Sequence, residues 1–512
     1  MSRIRYTAKN IAFGYASNII TALLGFVARK VFIMRLSGTL LGVNGFYTGI
    51  LSALSLAELG IGTALNFSLY KPVATGDTEK IKSYMAMYKK CYRIIALVVA
   101  VIGLCIVPFL PEIIKNPGDN SMRDLTLYYL IFLFNSVTSY FVAYKYSLVN
   151  AEQKTYIQTN ITTVTKIISV TAQIIVLFAT SNFYCYLLTD ALIQLLQKIF
   201  VSWYLNRKYP YLADKNITPL SKEETGVIIS KTKALMWLKI GDTARTQTDA
   251  IIITAFVNVA TTGIVDNFTM VISSISNFVN IIFNSALPGF GNLIATESKE
   301  KQFQMFKVYR FFADWIYGYS AVGFLLLLTP LITILYGADW AMGQTVVALI
   351  VAEYYFKGDR IVLTNFKTAA GVFEQDKYLA LIQGAVNLIL SIWLVQVIGL
   401  PGIYIGTVIS GLIANFVRPV IIYHVCFDRK TGGYFLDSVK YRIVMVVIIG
   451  ICYELQKFTM PTVTILHFLV SGIMITVVFH VIFLGLFCRT EEFRYLWNII
   501  KERVIQDRKS VV

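Results

Sequence analysis

The sequence predicts an all-α integral membrane protein of about fourteen transmembrane helices, with two pseudo-symmetric six-helix lobes around a central cavity and two further C-terminal helices. Three observations predict it: long apolar blocks, a one-sided distribution of Lys and Arg in the loops, and a weak internal repeat.

The apolar blocks come first. The chain has 512 residues, 56% of them hydrophobic and 15% charged, with a mean hydropathy of +0.64. A soluble protein carries roughly 25% charged residues. The apolar residues fall in blocks long enough to cross a bilayer as helices. The expected spans are residues 10–34, 43–66, 92–112, 124–149, 156–179, 184–206, 236–257, 262–287, 309–335, 344–370, 377–398, 402–426, 440–458 and 463–488. The longest polar linker, about 206–233, is too short for a separate soluble domain. The run from Ile11 to Met34 is too long for a signal-peptide core and lacks an Ala-x-Ala site, so it reads as the first span. The stretch from Thr78 to Arg93 sets Ile81, Met85 and Tyr88 against Lys80, Lys82 and Lys89, and reads as an interfacial amphipathic helix.

The net charge of +17 first suggests nucleic acid, but its placement excludes that partner. Alternate loops hold Arg3, Arg5 and Lys9, the Lys71–Arg93 group, Lys154, the Arg207–Lys233 group, Lys299–Arg310, Arg429–Arg442 and a basic tail. The opposite loops hold little beyond Arg35, Lys115, Arg123 and Lys457. This positive-inside bias puts both termini in the cytoplasm, in a multi-pass protein of the cytoplasmic membrane; the resemblance given below implies a bacterial one. The basic face also suits an anionic leaflet.

The repeat sets Leu41–Ser55 beside Thr262–Ser276, matching Gly42 with Gly263, Thr48 with Thr269, Ser52 with Ser273 and Ser55 with Ser276. That register lays the second span on the eighth, so the halves run parallel and a cavity between two bundles is expected near the midplane. The expected division is an N-lobe over 1–206, a cytoplasmic linker over 207–235, a C-lobe over 236–426, and a last helix pair with its basic tail over 427–512.

Charges inside spans need a partner, a polar cavity or a route to the interface, since each costs about 2.5–3.5 kcal/mol at the bilayer centre on insertion scales. They are read as clustering in spans 1, 2, 7 and 10. Arg29 and Lys30 lie in span 1, with Arg29 on one helical face with Asn18, Thr21, Ala22 and Gly25. Glu58 edges a Thr/Ser/Gly face of span 2. In span 7, Lys239, Asp242, Arg245 and Asp249 form an alternating ladder. Glu353, Lys357 and Arg360 follow the same steps in span 10. The functional reading is a water-filled cavity whose cations meet an anionic substrate group, arginine presenting a planar fork to phosphate oxygens. The competing readings are a structural ion-pair staple for the span 7 ladder and snorkelling for Lys357 and Arg360. Arg418 reads as an interface anchor, and Asp314 and Glu454 as interfacial residues.

Other chemistries lack their signatures. Six cysteines show no CxxC or zinc spacing, and His424, His467 and His480 form no ligand pattern. No phosphate-binding GxxxxGK[ST] loop, TVGYG filter or exposed catalytic constellation occurs. No bond-making enzyme and no cofactor are expected, beyond a coupling proton or sodium ion.

Several segments, in this order, resemble the bacterial polysaccharide flippases (O-antigen, capsule and teichuronic type) of the multidrug/oligosaccharidyl-lipid/polysaccharide exporter superfamily. They are Leu41–Gly45 leading to Leu56-Ala57-Glu58-Leu59-Gly60 and Leu69-Tyr70-Lys71-Pro72; Asn150-Ala151-Glu152-Gln153-Lys154; and Lys239-Ile240-Gly241 with Thr248-Asp249-Ala250-Ile251-Ile252-Ile253. Gly291-Asn292-Leu293, Asn365-Phe366-Lys367-Thr368-Ala369-Ala370-Gly371 and Gln375-Asp376-Lys377-Tyr378 continue the series. The resemblance covers nearly all of 1–440. It implies two six-helix lobes plus two helices, and alternating-access flipping of a polyprenyl-pyrophosphate-linked oligosaccharide driven by an ion gradient. It associates cations of the first and seventh spans, here Arg29 with Lys30 and Arg245, with the cavity. The balanced charges of the seventh span depart from a purely cationic one.

The expected function is therefore a secondary transporter for surface polysaccharide synthesis. Arg29, Lys30, Lys239, Arg245, Lys357 and Arg360 are the expected substrate contacts. Glu58, Asp242, Asp249 and Glu353 are the expected ion-coupling or ion-pairing residues. The expected partners are the lipid-linked oligosaccharide, the bilayer, and a polysaccharide polymerase or glycosyltransferases. A multidrug or cation antiporter of the same fold, or a membrane glycan polymerase or ligase, are the alternatives.

Overall fold

The structure, a computed structural model, describes residues 3–58, 61–214, 217–372, 374–498 and 501. Its longer elements are all helices: α1 (Arg3–Arg35), α2 (Gly38–Leu54), α3 (Ile61–Thr75), α4 (Thr78–Ile106), α5 (Leu110–Ile113), α6 (Met122–Ala151), α7 (Thr155–Thr180), α8 (Phe183–Lys208) and α9 (Lys222–Thr246). They continue with α10 (Asp249–Phe256), α11 (Val259–Ser285), α12 (Leu287–Thr296), α13 (Lys299–Tyr336), α14 (Gln344–Ala370), α15 (Leu379–Ile398), α16 (Leu400–Phe427), α17 (Gly432–Thr459) and α18 (Ile465–Phe487). The helix ends follow local chemistry. The Ser37 hydroxyl accepts from the Leu40 amide, and Asp77 caps α4 by accepting from the Lys80 amide at 2.9 Å. Ser221 and Glu224 form a reciprocal capping box on α9. Gly371 closes α14 at φ +71°, a left-handed turn that glycine adopts without strain.

Among the described residues, ten helical stretches are long and apolar enough to cross a membrane. Large apolar side chains face outward along them, such as Leu97, Ile473 and Val481, as a lipid-bathed surface requires. The other four expected spans depart for reasons their sequences contain. Span 2 divides into α2, a 3-10 turn over Ser55–Glu58, and α3. Span 7 is interrupted between α9 and α10. In span 10, α14 carries Glu353, Lys357, Asp359, Arg360 and Lys367, and in span 13, α17 carries Arg442, Glu454 and Lys457. One further expectation is corrected: the 78–93 segment is no separate interfacial helix. It is the first half of α4, which runs unbroken to Ile106 with Ile81, Met85 and Tyr88 buried.

By packing, the chain forms two compact units, Met1–Asp266 with Ala380–Gly399, and Asn267–Leu379 with Leu400–Val512. In the first, α1 lies along α7, α7 on α8, α8 on α6, α6 on α4, and α4 on α3. The seventh span packs here too, α9 against α3 and α10 against α2, so packing joins it to the first six rather than to the 236–426 segment. Backbone proximity explains the fit. A Cβ on Gly241 would lie 2.2 Å from the Ala380 carbonyl carbon in α15, and one on Gly42 would lie 1.7 Å from the Val259 oxygen. The repeat-matched pair also meets, since a Cβ on Gly263 would come within 2.8 Å of the Gly42 nitrogen. Gly42→Val is therefore expected to destabilise the protein by about 1–3 kcal/mol through overpacking. Its melting temperature in detergent checks this, and an unchanged value would refute the close crossing.

In the second unit, α14 lies between α13 and α16, while α17 and α18 pack on α13. The last two helices are thus integral to this unit. Their seam is a buried cluster of Phe311, Val322, Leu326, Met445, Ile448, Cys452, Ile475, Phe479 and Phe483.

Candidate functional site

Two interruptions of helical backbone meet in the first unit. At the end of α2 the chain tightens into the Ser55–Glu58 turn, where the Ser55 hydroxyl donates to the Ser52 carbonyl at 2.6 Å. Glu58 accepts a 2.5 Å hydrogen bond from the Tyr92 hydroxyl on α4, and the Tyr88 hydroxyl reaches the Gly62 carbonyl at 2.9 Å. The second interruption, at Gln247–Thr248, separates Arg245 on the last turn of α9 from Asp249 on the first turn of α10. Gly49 of α2 sits against it, its missing Cβ 3.1 Å from that of Ala250 and 3.8 Å from the Gln247 carbonyl. Broken backbone at membrane depth is tolerated only where protein or water can satisfy the freed peptide groups, which makes such breaks a mark of transport sites. The break also corrects the span 7 ladder: Arg245 and Asp249 belong to two helices, so the four charges do not share one continuous stripe. Asp242 is exposed, and the Lys239 side chain lies outside the described residues.

Arg29 forms the cationic part of this unit. It lies in the last third of α1, half-buried, and its Nη1 is buried without a hydrogen-bond partner among the described residues. Buried polar atoms are nearly always satisfied, so an open guanidinium nitrogen needs a water or an anion to complete it. One carboxylate and one tyrosine feel its charge. Asp266 of α11 is within electrostatic reach, and Tyr186 of α8 feels both Arg29 and Asp190. Asp190 is itself held by the Ser169 hydroxyl at 2.5 Å. Asp266 fits because α2 offers bare glycine there: a Cβ on Gly45 would lie 2.0 Å from its Oδ2. Lys30, next along α1, is exposed.

The charges of the second unit are largely matched to one another. Arg360 is buried, pairs with Glu353 and donates to Asn415 Oδ1 at 3.1 Å, whereas Lys357 is exposed. Lys367 lies 2.6 Å from Asp376 Oδ1, and Arg418 donates to Oδ2 of the same carboxylate at 3.2 Å and to Thr364 at 2.9 Å. Arg418 is thus tied to a buried carboxylate, not an interface anchor. Asp314, expected at the interface, is also buried: Arg310 stands 3.9 Å from both Asp314 and Asp359, and Arg442 reaches Asp359 at 2.7 Å. Arg310 further donates to the Tyr434 carbonyl at 3.1 Å and stacks 3.6 Å above that ring, a cation–π contact. Glu454, by contrast, is exposed and paired with Lys457 at 2.7 Å.

The sequence reading passed over Asp190 and Asp266 in the sixth and eighth spans, and Lys145 and Lys198 in the fourth and sixth. Each is a charge within an apolar block, which was signal enough. Lys198 donates to the Asn135 side chain at 2.5 Å and to Thr138 at 2.8 Å, and so is solvated by neutral oxygens instead of a carboxylate. Among the described residues no three His, Cys, Asp or Glu side chains converge as a metal site.

This architecture is that of a multi-pass, all-helical membrane protein. It resembles the structure titled lipid II flippase MurJ, inward closed conformation (TM-score 0.65, 14% identity, 94% of this chain and 100% of that one). It also resembles an inward-facing multidrug resistance MATE family transporter of the MOP superfamily (TM-score 0.61, 13% identity, 78% and 92% covered). A Vibrio cholerae MATE transporter, VcmN, is similar at TM-score 0.53 and 15% identity, with 83% and 99% covered. No curated protein matches the sequence. The chain belongs to the polysaccharide biosynthesis protein family, whose sequence model matches residues 7–294.

Proposed function

We propose that the chain flips a polyprenyl-pyrophosphate-linked oligosaccharide across the bacterial cytoplasmic membrane by alternating access, as a step of surface polysaccharide synthesis. The observation that carries this reading is Arg29, a half-buried arginine with an open guanidinium nitrogen, in a member of a polysaccharide biosynthesis family. A guanidinium fork is suited to the oxygens of a phosphate or an acidic sugar. Arg29, with Lys30, Lys239 and Arg245, contacts the anionic part of the substrate in this reading, with Lys357 and Arg360 as the remaining proposed contacts. Glu58, Asp242, Asp249 and Glu353 carry or balance a coupling proton or sodium ion. A polymerase or glycosyltransferases act before or after this step.

Deleting the gene tests the reading. The expected result is loss of surface polysaccharide with accumulation of its lipid-linked precursor on the cytoplasmic side. Intact polysaccharide with altered sensitivity to cationic drugs would replace the reading with antiport.

A further inference from the structure

A second charged site lies in the first unit and shares no residue with the Arg29 cluster. Where the N-terminal half of α4 passes α6 and the end of α8, the helices enclose a cavity of about 680 Å³. Lys82, Lys89 and Arg93 line it from one face of α4, spaced by seven and four residues, and Lys145 lines it from α6. Among the described residues, the single acidic side chain in its wall is Asp214.

The local pairing leaves most of this charge uncompensated. Lys82 is satisfied by Glu79 at 2.6 Å and Asp214 at 2.9 Å. Lys145 is buried, yet its partners are neutral: Ser202 Oγ at 2.7 Å and Asn206 Oδ1 at 2.8 Å. Lys89 and Arg93 have no carboxylate partner among the described residues. Three cations thus face one cavity with no counter-charge of their own. Like charges lining one cavity raise its positive potential and favour an anion that joins them.

The walls indicate which anion. The segment after α8 is pinned across α4 by the Lys82–Asp214 pair and by the Ser83 hydroxyl donating to the Thr218 carbonyl at 2.5 Å, giving the cavity a fixed polar side. Another side is apolar, where Phe141 of α6 lines the cavity while half of its surface stays exposed. A polar end flanked by an outward-facing aromatic suits an amphiphile with a charged head. The cavity volume falls in the range of small-molecule sites, about 300–1,000 Å³.

We propose that this cavity binds a phosphate group, with Lys89, Arg93 and Lys145 around its oxygens, supplied either by the headgroup of an anionic phospholipid or by a soluble phosphate compound. The site does not depend on what the protein transports, and the test involves no transport. Full-length protein in neutral detergent is titrated with phosphatidylglycerol, phosphatidylcholine and inorganic pyrophosphate, and binding is read by native mass spectrometry. Phosphatidylglycerol is expected to bind at least about tenfold more tightly than phosphatidylcholine, with that preference lost in Lys89→Gln/Arg93→Gln. Both residues are exposed, so the variant keeps its fold, and an unchanged melting temperature verifies that; Arg93→Gln alone serves if it does not. Pyrophosphate binding that depends on the same two residues, without a lipid preference, assigns the site to a soluble phosphate. Equal affinity for both anions in the wild type and the variant, or no binding of either, overturns the proposal.

Discussion

Under the proposed flippase function, Arg29→Ala is expected to abolish export of the polysaccharide while leaving the protein inserted in the membrane at normal levels. The side chain is half-buried on α1 and its Nη1 has no hydrogen-bond partner among the described residues, so truncation is not expected to disturb the packing of α1 on α7. Losing one partner of a desolvated charge pair costs about 2–5 kcal/mol in affinity. If Arg29 meets the substrate anion, binding falls by roughly thirtyfold or more. Arg29→Lys keeps the charge and loses the planar fork, so it is expected to fall between the wild type and the alanine variant. Surface polysaccharide, lipid-linked precursor and membrane-bound protein are measured together. Full export by Arg29→Ala would remove this residue from the substrate path, and loss of the protein itself would assign it a structural role.

The second large effect is on stability. Arg310→Met is expected to destabilise the protein by about 3–5 kcal/mol, because it leaves the Asp314 and Asp359 carboxylates buried with Arg442 as the one remaining cation among the described residues. The four residues tie α13, α14 and α17 together, and Arg310 also holds the Tyr434 carbonyl and the Ser438 hydroxyl. The double variant Arg310→Met/Asp314→Asn restores charge balance. It is expected to regain part of the loss, a non-additivity that residues of one network show and distant ones do not. Thermal unfolding in detergent reads the cycle. Additive effects would mean that the four charges act separately.

Much of the fold was legible because the bilayer imposes one simple rule. A helix must be long and apolar enough to cross, and ten stretches met that rule on composition alone. The four that depart from it do so through charge or through interruption. Charge was read correctly as a property of spans 2, 7 and 10, but interruption was not, because residues such as Gln247 and Thr248 carry no glycine or proline signal. Pairing was the other illegible layer. Arg310 and Arg442 are 132 residues apart in sequence, and nothing local states that both meet Asp359. Local steps of three and four suggested that Glu353 and Arg360 share a face, and there the structure forms an ion pair. For Asp314 and Arg418, position near a span end suggested the interface, while Tyr355 of α14 holds Asp314 and Asp376, in the turn before α15, holds Arg418. Asp266 stood in plain sight within the repeat; its meaning depended on Gly45 across the crossing, which only the fold brings together.

The buried quartet of Arg310, Asp314, Asp359 and Arg442 has an electrical consequence. Two positive and two negative groups sum to zero, so carrying the quartet through the membrane field does no work against the voltage. Each uncompensated charge, by contrast, exchanges about 2.3 kcal/mol with the field per 100 mV crossed. Translation of the second unit along the field therefore leaves this part of it indifferent to the membrane potential. Any voltage dependence of the protein must arise from charges lacking such balance, or from the cargo itself.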